Sequence, residues 1–176
     1  VRALTRKAGA NLGAVTYYFG SKRQLYEEVL ATFAEPLRSR VAQAAAGEGS
    51  PLERIEKVAR AFFQYLVEEP DMPRILLHQL VSERPMPEAA KRALQANHGT
   101  VAQLILEGQR EGSIREGDPR LMAISVASQP LVAAIMRSAL QEAVAIDPQD
   151  RETHARFVEN AVAFIRGGLA ARKEGE

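Results

Sequence analysis

Cysteine is missing from all 176 residues, so disulfides, thiolate metal sites and cysteine nucleophiles are excluded together. No run of about 18 apolar residues is evident, which argues against a membrane span, and no secretory leader is legible. No stretch alternates apolar and polar residues convincingly over strand lengths. Acidic residues are lacking from the first 26 positions, which hold five basic ones: Arg2, Arg6, Lys7, Lys22 and Arg23. Against a net charge of +1 for the whole chain, that leaves −4 on the other 150 residues. A cationic end on an acidic body suits a protein that grips a polyanion with that end.

Enzyme signatures are wanting too. A di-iron bundle needs Glu-x-x-His pairs on facing helices, yet the residues three before His78, His98 and His154 are Ile75, Gln95 and Arg151. There is no His-Glu-x-x-His motif and no glycine-rich phosphate loop; Gly108 and Gly112 are isolated. The expectation is a protein with no catalytic residue, no metal and no cofactor.

What is present is helix after helix. The 46% apolar content is enough for a real core. Ser21 and Gln24 have capping-box spacing, ahead of Leu25, Val29, Phe33 and Leu37. That helix fades in the Ala-Gly-Glu-Gly stretch at 46–49. Ser50-Pro51-Leu52-Glu53 is a second start signal, with proline at the first helical position. Asp71 can cap a short helix through Leu80 and Val81, broken by Pro85 and Pro87. A long helix then ends near Gly112. Asp118-Pro119 starts another, to about Glu142 with a kink at Pro130, and Asp147-Pro148 starts the last, reaching Leu169. The fold class is all-α. The composition shift near 46–50 divides an N-terminal head with its linking helix (1–46) from a helical body (47–176). Because Val1 falls inside what reads as a helix, residues preceding it are expected.

The head has helix–turn–helix form. Gly9 sits where the first helix must turn, and Asn11 suits the N-cap of a second, short helix. Val15 and Phe19 would face inward with Leu4 and Ala8. Leu12, Gly13, Thr16 and Tyr17 would face outward, small Gly13 and Ala14 allowing close backbone approach to a duplex. Thr16 and Tyr17 offer a hydroxyl and a ring edge to bases. Arg2, Tyr18 and Lys22 are placed for phosphates, Lys22 beside the free N–H groups of the next helix. The competing reading is an all-helical adaptor or dimerisation protein whose basic end merely solubilises it; only a DNA reader would lose affinity steeply with salt.

The string Ala8-Gly9, Gly13-Ala14-Val15, Tyr17-Tyr18-Phe19-Gly20-Ser21-Lys22 and Leu25 resembles the DNA-binding region of the tetracycline-repressor (TetR) family of bacterial transcriptional regulators. The helical remainder, with Glu111-Gly112-Ser113-Ile114-Arg115 before Asp118-Pro119, is similar to that family's ligand-binding body. Thr16 departs from the Tyr or Asn frequent there, which bears on base preference rather than docking. The family's first helix and N-terminal arm have no counterpart in the sequence. The resemblance implies a cytoplasmic bacterial regulator, by default a repressor, that binds a double-stranded operator and is released by a small, mostly apolar effector. It further implies an effector pocket lined from Phe62, Phe63, Leu66, Leu77, His78, Val81, His98, Val101, Leu104 and Ile105. Leu121, Ile124, Ser128, Leu131 and Ile135, with Phe157, Val158, Ala161, Val162, Phe164, Ile165 and Gly168, lie on helices that carry two apolar stripes each. Such helices need cover twice, and the resemblance implies a four-helix homodimer interface there.

Overall fold

The computed structural model describes residues 9, 12–81, 85–147 and 150–171. Among them are seven helices and no strand beyond an isolated bridge between Ile114 and Ala170. They are α1 (Leu12–Phe19), α2 (Lys22–Ala46), α3 (Pro51–Glu68), α4 (Met72–Val81), α5 (Glu88–Arg110), α6 (Pro119–Val144) and α7 (Arg151–Leu169).

Each long helix starts where a side chain satisfies an orphan N–H group, with the exception of α5, which follows Pro87 without a side-chain cap. Ser21 Oγ accepts from Gln24 N at 3.1 Å. Ser50 and Glu53 form a reciprocal capping box with Pro51 at the first position. Asp118 accepts from Arg120 N at 2.9 Å, and its hydrogen bonds to Arg120 hold its carboxyl down at a pKa of about 2. The last helix differs from expectation. Asp150, not Asp147, is its cap, accepting from Thr153 N at 2.9 Å, so the helix begins at Arg151. An N-cap must reach the amides two or three residues on, and Asp150 stands at that offset from Thr153. Pro148 lies outside the described residues.

The core is one cluster. Ile55, Val58 and Ala59 of α3 meet Leu37, Val41 and Ala45 of α2, Val101, Leu104 and Ile105 of α5, Ala123 and Val126 of α6, and Val162 and Ile165 of α7. The break at Gly47–Ser50 is therefore a chain reversal, and the second half of α2 is built into the body. The periodicity of α2 is shifted from that expected: Leu30, Leu37, Val41 and Ala45 are buried, whereas Val29 is exposed.

Proline lies inside both α2 and α6, and the helix continues through Pro36 and Pro130 alike. Pro36 has no N–H to offer the carbonyl four residues back. One residue on, the Phe33 carbonyl accepts from the hydroxyl of Tyr65, a side chain only 1% exposed, at 2.6 Å. Removing that hydroxyl with Tyr65→Phe is expected to cost about 1–2 kcal/mol of stability. At this chain size that lowers the melting temperature by roughly 2–8 °C, readable by calorimetry.

The turn between α5 and α6 locks the end of α7. Arg115 N donates to Leu169 O at 2.9 Å, Ala171 N to Ser113 O at 3.1 Å, and Arg115 Nε to Gly168 O at 2.6 Å. Gly108 permits the close approach of Ile114, because a Cβ there would fall 2.5 Å from Ile114 Cδ1. Partly exposed ion pairs (Arg54–Glu107 at 3.1 Å, Arg60–Glu159) tie α3 to α5 and α7, where such pairs add little.

The most apolar long stretch among the described residues is in α6. This helix contains an 18-residue window apolar enough, by length and composition, to cross a membrane, and only 28% of that window is buried. Ser128 and Gln129 interrupt the window, so it is no unbroken apolar run. Within a bundle, such a helix needs cover on a second side.

Candidate DNA-reading and effector sites

The head site is built at the junction of α1 and α2. Gly20, at φ 70°, turns the chain between them, and a Cβ there would meet only the movable end of the Gln24 side chain. The left-handed backbone is what favours glycine at this turn. Gly9, at φ 62°, likewise has the left-handed conformation expected of the preceding turn. Tyr17 and Tyr18 project from the end of α1, 83% and 76% exposed, with rings edge to face at 5.1 Å. Two neighbouring aromatic side chains held out in solvent gain nothing for a core, so they suit contact with something outside. Gly13 and Lys22 are exposed as well. Leu12, Ala14 and Thr16 belong to the same short helix. Arg2 and Asn11 lie outside the described residues, as do Leu4 and Ala8, the expected inward partners of Phe19. Phe19 itself is 36% exposed.

Charge at the start of α2 runs against the helix dipole. Lys22 and Arg23 occupy its first turn, which has no acidic residue. Cations are disfavoured where unpaired N–H groups already make the end positive. Arg23 is compensated by Glu27, at 3.0 Å. The Lys22 ammonium and the N-terminal amides together form a place for an anion.

The effector candidate is a cavity of about 320 Å³ in the body. Its walls come from α2 (Leu30, Phe33, Ala34, Leu37, Val41), α3 (Val58, Phe62), α4 (Ile75, Gln79), α5 (Leu94, Asn97, His98, Val101) and α6 (Ile124, Ala127, Ser128, Leu131). Among the described residues its lining includes no Lys, Arg, Asp or Glu. His98 Nε2 lies 2.9 Å from the Arg120 carbonyl, which can only accept, so that nitrogen carries the proton. Of the ten residues read as pocket candidates, Phe62, His98 and Val101 line this cavity. Phe63, Leu66 and Leu77 line a smaller groove of about 90 Å³ between α3, α4, α6 and α7. Leu104 and Ile105 are packed in the core at 2% and 0% exposure, and His78 and Val81 are exposed, lining neither space. Sequence reasoning missed the α2 wall, Gln79 and Asn97. The i+4 stripe of α2 was legible, but as core.

Gln79 joins cavity to head. It lies on the cavity wall and its Oε1 accepts from the hydroxyl of Tyr26, on the head side of α2, at 3.2 Å.

The two-stripe helices divide their residues in a definite way. Val158, Ala161, Val162 and Ile165 are covered by the chain's own core, and Phe157 packs partly on it, with its ring 6.0 Å from that of Phe63. Ile124, Ser128 and Leu131 line the cavity, and Ile135 the groove. Leu121, Phe164 and Gly168 are left exposed, together with Ser125, Val132, Met136, Ala163 and Gly167, which sequence reasoning passed over. The spacing of 121, 125, 132 and 136 is a helical stripe that could have found the α6 half.

Residues 51–165, 115 of the 176, match the family model described as tetracyclin repressor-like, C-terminal domain. No curated protein matches the sequence significantly. Among solved structures the chain is similar to the ketosteroid transcriptional regulator KstR2 of Mycobacterium tuberculosis, at 19% identity over 97% of this chain and 84% of that one (TM-score 0.74). It is also similar to a bacterial regulatory protein in the tetR family from Rhodococcus RHA1, at 15% identity over 98% and 86% (TM-score 0.74). A third is the TetR family transcriptional regulator PfmR from Thermus thermophilus, at 19% over 98% and 85% (TM-score 0.70). At such identities these likenesses speak for the fold.

Proposed function

The chain belongs to the tetracycline-repressor family of DNA-binding transcriptional regulators, and from that premise we propose that it works as a homodimeric repressor released from its operator by a small apolar effector. The observation that carries this reading is the double duty of α2. Its first turn holds Lys22 beside the exposed Tyr17 and Tyr18, and its middle residues, Leu30, Phe33 and Leu37, wall the cavity.

At the head, Tyr17 with Leu12, Gly13, Ala14 and Thr16 would meet base edges in a major groove, while Arg2, Asn11, Tyr18 and Lys22 would contact the backbone phosphates. Two heads about 34 Å apart read successive grooves of a palindromic site. The exposed apolar residues of α6 and α7, Leu121, Val132, Met136 and Phe164 among them, bring the two copies together. Ligand in the cavity pushes on α2, which carries the head. Operator affinity then falls only as far as the ligand prefers the state that cannot span two grooves. A footprint on DNA upstream of the regulated gene, protecting two half-sites one helical turn apart, tests the reading; protection of none overturns it.

The Tyr26–Gln79 bond would carry part of the signal. Tyr26→Phe is expected to leave effector affinity within about threefold, because the tyrosine is not on the cavity wall. Effector-driven loss of operator affinity should shrink by about three- to tenfold, in line with one hydrogen bond of coupling. Operator titrations with and without effector read the difference.

A further inference from the structure

The groove between α3, α4, α6 and α7 combines aromatic rings with two cations. Phe63 and Phe157 line it with rings edge to face at 6.0 Å, and His154 stands edge to face with Phe63 at 6.5 Å. Flat rings suit a flat partner, because aromatic pairs gain from stacked or edge-on contact beyond the area they bury. The space is small, about 90 Å³ against about 320 Å³ for the cavity, so it suits one ring rather than a long chain. Arg74 of α4 and Arg137 of α6 line the same space. Arg74 lies 3.8 Å from Asp71, and with side chains 72% and 75% exposed that pair contributes little. Arg137 is half-buried and makes no ion pair or side-chain hydrogen bond among the described residues. Two cations on one small groove repel each other, and an anion that meets both turns repulsion into attraction.

We propose that this groove is a second ligand site, for a small aromatic carboxylate whose ring lies against Phe63 and Phe157 and whose anion pairs with Arg137 and Arg74. A carboxylate has two oxygens that accept, so one group serves two planar guanidinium donors. Pro130, Ala134 and Arg137 follow one line of α6, different from the exposed line of Leu121, Ser125, Val132 and Met136. The α6 cation of the groove is therefore not part of the apolar face that meets the second copy. The site does not rest on the effector reading, since the groove can hold an acid whether or not the cavity takes an apolar molecule. Pro130 also lines that cavity, so the two spaces adjoin and the ligand has to be located by its cations.

The test uses the full chain at neutral pH with benzoate and its uncharged counterpart, benzamide. Affinities are read by NMR titration of the ligand signals against wild type and Arg137→Gln. Arg74→Gln is the second variant and decides the matter should Arg137→Gln fail to fold, because a side chain 72% exposed adds little to folding. Wild type is expected to bind the acid at least about tenfold more tightly than the amide, as a charge-assisted pair allows. In folded Arg137→Gln that preference should fall to within about threefold, and in Arg74→Gln it should shrink at least about threefold. Benzamide binding wild type as tightly as benzoate would overturn the proposal. So would a tenfold preference that survives in folded Arg137→Gln, since the anion would then lie elsewhere. Failure of both ligands to bind wild type would overturn it too, and would leave the regulator reading untouched.

Discussion

Lys22→Glu is expected to weaken operator binding by orders of magnitude while leaving the protein slightly more stable. The two effects have opposite signs because the same charge acts in two settings. In the free protein Lys22 sits in the first turn of α2, where no acidic residue offsets the positive end of the helix. A carboxylate there suits the dipole, so the melting temperature should rise by about one or two degrees. In the proposed reading, the lysine becomes the partner of a phosphate on DNA. Charge reversal loses that contact in both copies of the dimer and places an anion against an anion. Operator affinity should drop by about two to four orders of magnitude, with the salt-dependence slope reduced by about 2. Calorimetric melting and filter binding on the same preparation check both arms. A variant that melts lower and binds normally would place Lys22 among structural residues.

Phe164→Glu should convert the dimer into a folded monomer. Phe164 is 67% exposed on α7, so the change disturbs little within one chain. In a two-fold interface the substitution appears twice, removing two aromatic anchors and burying two unpaired carboxylates. The dimer dissociation constant should rise at least about a thousandfold. Operator affinity should fall with it, since one head reaches only one half-site. Light scattering behind size exclusion would give the mass of one chain, and the melting temperature would lose its dependence on protein concentration. A dimer that persists would move the interface off this face.

The frame of the molecule could be read from the residues because caps act locally. Ser21, Ser50 and Asp118 each satisfy an amide two or three positions away, and each marks the start of a helix in the structure as in the sequence. The same local logic set the last start at Asp147-Pro148, on a proline suited to the first helical position, whereas Asp150 is the side chain that reaches an amide. The cavity was harder to see. Leu30, Phe33 and Leu37 follow one helical face whether that face meets other side chains or empty space, and periodicity measures the face alone. The meeting of Arg74 and Arg137 at one groove had no signal, because it depends on neighbours distant in the chain. On α6 and α7, two apolar lines were legible in each helix. Their division between core, cavity and open surface, as in Val162, Ile124 and Phe164, required packing.

The claim beneath all of this is that the end of α1 and the first turn of α2 form a surface for duplex DNA. Titrating binding of the protein to DNA from its own upstream region against salt tests it most directly. The account predicts a steep linear fall of log K with log salt, about 0.9 per phosphate engaged, and a further loss of affinity for Tyr17→Ala. Binding that is flat with salt and indifferent to Tyr17 would contradict it.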